Sequence, residues 1–394
     1  MNIIRRNSTR VALSGIAVGA IFAATACSAD TSTPATPTAA PSPALVRALD
    51  QVVASGYPGI QAVIDGPGGH RVLTAGVGDL QTGTPFAADA QVRIGSNTKT
   101  FVTTVLLQLV AEDKVQLDAP IEQYLPGVVQ GNGNDGHRIT VRQLMQHTSG
   151  IPDYLGHGTV DGGMASGGTQ LDPTSEAIRW QRFEPAELVR RAMAMPPNYE
   201  PGARAEYTNT NYIVLGMLIE KVTGRSPAAE ITRRIIEPLG LRATYFPAPG
   251  DTGIRDPHPA GYHSVEGKRV DFTNTETSWA GAAGAMISTG AEVNRFFSAL
   301  LGGKLLPAAQ LAEMQRTVPF DREPGAGYGL GLIHRPVPCG KEVWGHGGSI
   351  PGFEVRTGVA ADGTAVVVST NQLPTNQAEF DAVENVFKVA ICGD

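Results

Sequence analysis

The sequence predicts a mixed α/β (α+β) protein in which helices flank an antiparallel sheet built from both ends of the chain, with a mostly helical lobe inserted midway. Three observations predict this class. Short apolar runs typical of strands lie at residues 60–77 and again at residues 328–370. Between these regions, apolar residues recur with the period of a helix. The chain has 394 residues, of which 42% are hydrophobic, and this is enough for a sizeable core.

The first elements follow from local patterns. A short helix at residues 44–54 precedes two apolar runs, 60–64 and 72–77, and the glycine-rich residues 66–69 between the runs favour a hairpin. A longer helix begins near Gly95, because apolar residues recur after it at helical spacing. One face of that helix is therefore expected to be buried.

Later parts of the chain change from helical to strand character. Helical pieces and loops alternate through the lobe, which is expected at roughly residues 130–250. The segments predicted after the lobe are helices at 293–301 and 308–316, strands at 328–333, 342–344, 353–359 and 365–370, and a helix at 378–391. These last strands would complete the sheet that begins near the N-terminus.

The N-terminus has the pattern of a secretory signal peptide at residues 1–26, with arginines, then an apolar stretch, then small residues. Residues 27–43 follow as an expected linker, because 28–43 contain only Ser, Ala, Asp, Thr and Pro and cannot bury apolar surface. The position of Cys27 resembles that of a lipidated cysteine in bacterial lipoproteins, and ordinary cleavage after Ala26 is the alternative. The folded domain, residues 44–394, is therefore expected to be secreted or held by a lipid anchor alone at the outer face of a bacterial cell membrane.

Composition excludes several partners. The chain has 31 Lys and Arg against 37 Asp and Glu, and these charges are scattered, so no nucleic-acid-binding surface is expected. Its eight histidines form no tight ligand cluster and no nucleotide-binding loop fits its context, so neither a metal nor a cofactor is expected. In an exported chain, the pair Cys339 and Cys392 favours a disulfide over a metal site or two free thiols.

Three short motifs carry residue types suited to acyl transfer. Ser96 and Lys99 share one face at the start of the long helix, where the ammonium can reach the hydroxyl and the helix N-terminus favours an anion. Tyr207, beside an ammonium, can act as general base and acid, and Asn209 can hydrogen-bond a substrate amide. His346 lies in a glycine-rich segment, predicted between two strands, that would let a substrate backbone approach.

Each motif alone also fits a structural role: a helix cap, a half-buried tyrosine before a helix, or a tight turn with a buried histidine. The occurrence of all three motifs in one order favours a catalytic role over these structural ones. Ser96-x-x-Lys99, Tyr207-x-Asn209 and His346-Gly347-Gly348 together resemble the three-motif pattern of serine penicillin-recognising enzymes. The resemblance is to the class C β-lactamase and D-alanyl-D-alanine carboxypeptidase family, includes segments 93–96, 144–154 and 328–332, and spans about residues 44–392.

This resemblance implies an α/β lobe, a helical lobe and a cleft between them. It makes Ser96 the acylated nucleophile, has Lys99 and Tyr207 share proton transfer, and leaves open which of the two is the base. Further implied roles are substrate binding by Asn209, a field-tuning His346, substrate contacts by Gly347, Gly348 and Ser349, and an oxyanion hole from the N–H groups of Ser96 and Ser349. Trp279 resembles an aromatic wall of the family's cleft, and a core position is its alternative.

The substrate implied is a D-amino-acid peptide or a β-lactam, with D-alanyl-D-alanine carboxypeptidase activity on peptidoglycan stems and acylation by penicillins as the leading expectation. One departure weakens it: the arginine that anchors the substrate carboxylate in that branch is replaced by Ile333, and Arg335 is the nearest cation on the same strand face. The alternatives are a β-lactamase, a carboxylesterase or peptide amidase on the same scaffold, and a non-catalytic protein that binds cell-wall peptides.

Overall fold

The computed structural model describes residues 42–156, 171–320 and 325–393. The predicted signal peptide, Cys27 and nearly all of the predicted linker lie outside these ranges, so their prediction stands untested. Within the described ranges, no helix combines the length and the apolar character needed to cross a membrane.

The strands form one large antiparallel sheet and three small two-stranded ones. The large sheet has the order β2-β1-β14-β13-β12-β11-β10-β9, so strands from both ends of the chain lie side by side at its centre. The strands are β1 (Gly59–Asp65), β2 (Arg71–Gly76), β3 (Gln91–Arg93), β4 (Gln130–Gly131), β5 (Asn134–Asp135), β6 (Tyr262–Val265), β7 (Lys268–Asp271), β8 (Ile287–Thr289), β9 (Val318–Pro319), β10 (Gly327–Tyr328), β11 (Ile333–Pro336), β12 (Glu342–Ile350), β13 (Phe353–Ala360) and β14 (Ala365–Thr370).

Helices cover both faces of this sheet and fill the middle of the chain. They are α1 (Pro43–Ala54), α2 (Thr98–Ala111), α3 (Val141–Met145), α4 (Glu176–Arg179), α5 (Pro185–Met193), α6 (Asn209–Thr223), α7 (Pro227–Ile231), α8 (Glu237–Leu239), α9 (Gly281–Gly284), α10 (Gly290–Leu301), α11 (Ala308–Met314) and α12 (Gln377–Cys392). The expected fold class, an antiparallel sheet flanked by helices and built from both chain ends, is confirmed. Helices α3 to α8 lie within residues 130–250, and the domain limits themselves remain a prediction.

The apolar run of β14 shows how the sheet separates two cores. Val366 and Val368 pack with the terminal helices α1 and α12, whereas Val367 packs with α10 and the larger core on the other face. Alternate residues of a strand point to opposite faces, so a strand covered on both sides is apolar throughout. This larger core continues into α2 and α6, the two helices that carry the site described below.

A disulfide fixes the end of the chain. Cys339 and Cys392 are bonded, with their Cα atoms 5.7 Å apart, and join the turn between β11 and β12 to the last residue of α12. The bond therefore holds the terminal helix against the sheet strand that carries His346.

Two local predictions were wrong. The single strand expected at 328–333 is two strands, β10 and β11, because the chain turns at Gly331, whose φ is +65°. The glycine-rich segment expected to end a strand lies inside β12 instead. Its glycines serve close packing rather than turning, since a Cβ on Gly348 would lie 2.0 Å from the carbonyl oxygen of Ile94.

Candidate active site

Ser96 lies on a short 3-10 turn, Gly95–Asn97, that leads into α2. This turn packs directly on β12: a Cβ on Gly95, where φ is +51°, would lie 2.9 Å from the backbone nitrogen of Ser349. Ser96 itself is only partly buried. Its hydroxyl is therefore held at the junction of α2 and the sheet with access to solvent.

Lys99 is fully buried on the first turn of α2, and its ammonium nitrogen reaches three oxygens. Nζ lies 3.1 Å from Ser96 Oγ, 2.9 Å from Asn209 Oδ1 and 2.7 Å from the carbonyl oxygen of Ala283, which belongs to α9. A buried cation needs such partners to offset its lost hydration. Helices α2, α6 and α9 thus meet at the amine next to Ser96.

Asn209 connects the lysine to a carboxylate. Its Oδ1 accepts from Lys99, and its Nδ2 donates to Asp153 Oδ2 at 3.0 Å, so both ends of the amide are engaged within the protein. Asn209 is the first residue of α6, and its backbone N–H also donates to Asp153 Oδ2, at 2.7 Å. The structure thus gives Asn209 contacts with Lys99 and Asp153, and the substrate contact remains a prediction.

Tyr207 precedes α6, and its ring lies beside the lysine. Lys99 Nζ is 4.7 Å from the Tyr207 ring centroid, a cation–π distance. The ring also packs on His147, with ring centroids 4.2 Å apart. The structure thus brings together Ser96, Lys99 and Tyr207, which the sequence places as far as 111 residues apart.

His346 belongs to a hydrogen-bonded chain of three buried rings. His147 Nε2 lies 3.2 Å from the hydroxyl of Tyr328, and that hydroxyl lies 3.0 Å from His346 Nε2. The N–H of Thr208 can only donate, so His147 Nδ1 accepts it and Nε2 carries the proton. The chain therefore runs from His147 through the Tyr328 hydroxyl to His346 Nε2, and His346 Nδ1–H donates to the carbonyl of Gly347.

Burial, together with smaller contributions from neighbouring cations such as Lys99, lowers the pKa of His346 to about 3 despite the opposing hydrogen bond to Gly347. The imidazole is thus neutral at physiological pH. It presents a fixed dipole, not a positive charge, to the strand next to Ser96. A lysine at this position would supply a positive charge instead, and the field-tuning role of His346 remains a prediction.

The glycines after His346 lie between strand β13 and the segment that leads into the Ser96 turn. Gly347 opposes Arg356 of β13, and Gly348 packs on the residue before the Ser96 turn. Strand β11 pairs with β12 only as far as Gly345, so residues 346–350 have no strand on that side within the described ranges. Ser349 N packs against Gly95, and its role in an oxyanion hole remains a prediction.

Two predicted substrate residues lie elsewhere. Trp279 is 4% exposed and belongs to the core, where its carbonyl accepts from the hydroxyl of Tyr154, so the core alternative describes its position. Arg335 is 5% exposed on β11, with Nη1 3.8 Å from Glu384 of the terminal helix. The carboxylate-binding position predicted for it is corrected to an ion pair beneath α12.

Sequence reasoning gave no role to Asp153, His147, Tyr328 or Ala283. The first three lie within the segments 144–154 and 328–332 that carry the family resemblance, and that was their only signal. Their partners are far away in sequence, so no spacing rule could reveal them. In the part of the chain that the structure describes, no group of three His, Cys, Asp or Glu residues could hold a metal ion.

Solved structures with the same fold include an amidohydrolase and an amidase. A D-stereospecific amidohydrolase from Streptomyces sp. is 38% identical, with a TM-score of 0.77, over 89% of this chain and 98% of that one. The D-amino acid amidase from Ochrobactrum anthropi SV3, complexed with L-phenylalanine amide, is 27% identical, with a TM-score of 0.74, over 88% of this chain and 97% of that one.

Among curated proteins, the D-aminopeptidase of Brucella anthropi is 29% identical over 293 residues, which is 73% of this chain and 50% of that protein. Esterase EstB of Burkholderia gladioli is 31% identical over 175 residues, or 43% of this chain and 42% of that protein. The chain thus spans half or less of the length of these two relatives. The family model described as Beta-lactamase matches residues 45–391, nearly the whole described chain. On this match, and on the fold and site geometry that agree with it, the chain belongs to the Beta-lactamase family.

Proposed function

We propose that this protein is a serine hydrolase that cleaves the amide or ester bond of D-amino-acid derivatives through an acyl-enzyme on Ser96. The observation that carries the proposal is the buried Lys99 amine held 3.1 Å from a solvent-accessible Ser96 hydroxyl. Activation of a serine by an adjacent amine is a known route to acyl transfer. The substrate class is supported by the activities in the names of the similar Streptomyces and Ochrobactrum enzymes.

In the acylation step, Ser96 Oγ forms a bond to the substrate carbonyl carbon, and its proton passes to a base. As the tetrahedral intermediate collapses, the carbon–nitrogen or carbon–oxygen bond breaks, and the proton goes to the leaving group. Water then attacks the acyl carbon and gives a proton to the same base. The ester bond between the acyl carbon and Ser96 Oγ breaks, the acid leaves, and the base returns the proton to Ser96 Oγ.

Two groups suit the role of base. Asn209 Oδ1 and the Ala283 carbonyl can only accept, so they take two N–H groups of Lys99 and direct the third position of Nζ at Ser96. A neutral Lys99 would turn its lone pair to Ser96 and take the proton directly. A charged Lys99 would instead donate to Ser96 Oγ, and the Tyr207 phenolate beside it would be the base.

The sequence-based expectation of carboxypeptidase activity is the second candidate, favoured by His346-Gly347-Gly348 in place of the lysine-containing motif of β-lactamases. A carboxypeptidase must bind the terminal carboxylate of its substrate, and a cation does this best. Arg335 and Arg356, the arginines beside this part of β12, are each paired with a glutamate. A neutral amide or ester leaving group needs no such cation, so we place amide hydrolysis first.

The test compares four substrates on the domain 44–394: D-phenylalanine amide, L-phenylalanine amide, acetyl-L-lysyl-D-alanyl-D-alanine and benzylpenicillin. We expect hydrolysis of the D-amide at least about tenfold faster than of the L-amide, and an acyl adduct in intact-mass spectra that Ser96→Ala abolishes. Faster release of D-alanine from the peptide would favour the carboxypeptidase, and fast penicillin turnover a β-lactamase. Failure of all four compounds to acylate or react would overturn the proposal and favour a peptide-binding protein.

We also propose that the chain acts outside the cytoplasm, secreted or anchored through a lipid on Cys27. This rests on the signal-peptide pattern of residues 1–26 alone. Expression of the full chain in a bacterium with a labelled fatty acid tests it. Label in the wild type and none in Cys27→Ser would support the anchor; an unlabelled mature chain beginning at Cys27 would support secretion, and retention of residues 1–26 in the cytoplasm would contradict both.

A further inference from the structure

Asp153 lies beyond the residues that face Ser96, in the segment that follows α3. Its carboxylate accepts three N–H groups: the backbone N–H of Leu155 at Oδ1, and both the backbone and the side-chain N–H of Asn209 at Oδ2. Burial raises the pKa of this carboxyl above its ordinary value, while these hydrogen bonds and the charge of Lys99 oppose the rise. Three donors fit the ionised form, which is acceptor-only.

The position of Asp153 decides which way the Asn209 amide points. An asparagine side chain has an acceptor at one end and a donor at the other. Because Asp153 Oδ2 can only accept, Nδ2 must face it, and Oδ1 must then face Lys99. A reversed amide would place its NH₂ group against the lysine N–H groups and its oxygen against the Asp153 carboxylate, so Asp153 would lose one of its three donors, which costs free energy on both sides.

The orientation of Asn209 in turn fixes the lysine. Oδ1 and the Ala283 carbonyl hold two of the three directions around Nζ, and the remaining direction meets Ser96 Oγ. Loss of the Oδ1 acceptor would free Nζ to turn away from the serine. The order of control is therefore Asp153, Asn209, Lys99, Ser96.

We propose that Asp153 is a positioning residue that acts through Asn209 to keep the Lys99 amine aimed at Ser96. The proposal rests on the proposed role of Ser96 as nucleophile. Asp153 also accepts the first N–H of the 15-residue helix α6, where a negative charge stabilises the helix N-terminus. A test must therefore separate this capping contribution to stability from the contribution to reactivity.

The experiment measures the rate at which a fluorophosphonate labels Ser96, which needs no assumption about the substrate. The variant is Asp153→Asn, which keeps the size of the side chain but removes one acceptor. The matched control is Asp271→Asn, because Asp271 Oδ1 likewise accepts two donors, both from Thr273, and Asp271 belongs to the separate two-stranded sheet of β6 and β7. We expect labelling to slow by about 10- to 100-fold in Asp153→Asn and to change less than twofold in the control, as for residues that orient a reactive ligand.

The double variant Asp153→Asn/Asn209→Asp provides the rescue. A carboxylate at position 209 accepts from Lys99 without an orientation to fix, and the asparagine at 153 can donate to it, so labelling should recover by at least tenfold over Asp153→Asn. A purely structural role predicts no such recovery. The melting temperatures of all variants show how much of each loss of labelling comes from unfolding. If Asp153→Asn does not fold, the labelling rate of the double variant is compared with that of the wild type instead.

The pH dependence of labelling adds a readout that a structural role would not move. Lys99 from α2 and the neighbouring Tyr154 are charged or titratable groups that interact with Asp153, and Tyr207, from the segment before α6, interacts with Tyr154. As the pH falls through the raised pKa of Asp153, the wild type should lose reactivity, and Asp153→Asn should lack that step. Absence of labelling in the wild type would overturn the proposed function. Equal labelling of wild type and Asp153→Asn, or a loss explained by unfolded protein, would overturn the positioning role alone.

Discussion

Two polar clusters, one partly buried and one fully buried, lie on either side of the central strands, and they are built in opposite ways. The active-site cluster consists of Ser96, Lys99, Asn209, Asp153 and Tyr207, and its hydrogen bonds lead from the Asp153 carboxylate to the partly exposed Ser96 hydroxyl. The terminal-helix cluster consists of Arg335, Glu354, Arg356 and Glu384, under α12, and its members pair with one another.

Charge balance explains the difference. In the terminal-helix cluster, two arginines meet two glutamates, and each of the four residues is less than a tenth exposed. Burial raises the pKa of Glu354 despite Arg356, whereas the two arginines outweigh burial at Glu384 and lower its pKa. Each of these four charged side chains pairs with another member of the cluster. Buried charge alone therefore does not mark a functional site, and a hydrogen-bonded path that ends on an accessible nucleophile is the distinguishing feature.

The largest effect is expected from Lys99→Met, which removes the amine and keeps the volume. Fluorophosphonate labelling of Ser96 should slow by about 10³- to 10⁴-fold, because neither proton transfer nor cation stabilisation remains. The melting temperature should stay close to that of the wild type, since a buried cation is replaced by an apolar side chain. A variant that unfolds instead would mean that the active-site cluster contributes to stability as the terminal-helix cluster does.

For Arg356→Met we expect the opposite result, a loss of stability without a loss of Ser96 labelling. It leaves Glu354 and Glu384 buried beside one arginine fewer, so we expect the free energy of unfolding to fall by about 3–5 kcal/mol. Labelling of Ser96 per folded molecule should change less than twofold. Urea denaturation with active-site titration measures both quantities. A hundredfold loss of labelling with unchanged stability would show that the two clusters are coupled through Gly347, which opposes Arg356 in the sheet.

Removal of the disulfide tests the same side of the sheet more mildly. Cys339 and Cys392 close a loop of 53 residues, and such a crosslink stabilises a fold by about 2–4 kcal/mol. The double variant Cys339→Ser/Cys392→Ser should lose stability in this range and keep the wild-type labelling rate. Reduction of the wild-type protein by dithiothreitol is the control, because it should give the same loss without a substitution.

The two clusters also differ in how far the sequence predicts them. Ser96, Lys99 and Tyr207 were predicted because the amine must lie one helical turn from the serine and the three motifs occur in a known order. Arg335 was assigned to the cleft on strand alternation alone, and no local rule could reveal that Glu384, 49 residues later, lies against it. The motif that begins at Tyr207 predicts a site role for Asn209. Its partner Asp153 lies 56 residues earlier, so no local spacing connects the two. The periodicity of apolar residues also predicts the order of strands and helices. It does not predict the close packing of Gly348 against Ile94, which depends on tertiary structure, and local sequence therefore favours a turn at this glycine-rich segment.

The effect that is smallest at neutral pH, and the sharpest contrast between charged and neutral buried groups, concerns His346. Its pKa of about 3 means that its NMR signals, assigned by their loss in His346→Gln, should not shift between pH 5 and 8. In the unfolded chain this histidine takes up a proton near its ordinary pKa of about 6.5, whereas the folded protein does so only near pH 3. The unfolded state therefore binds more protons between these values, and the free energy of unfolding should decrease as the pH falls from about 6.5 towards 3. His346→Gln should remove this part of the slope, and an imidazole that titrates near pH 6.5 in the folded protein would refute the neutral chain from His147 through Tyr328.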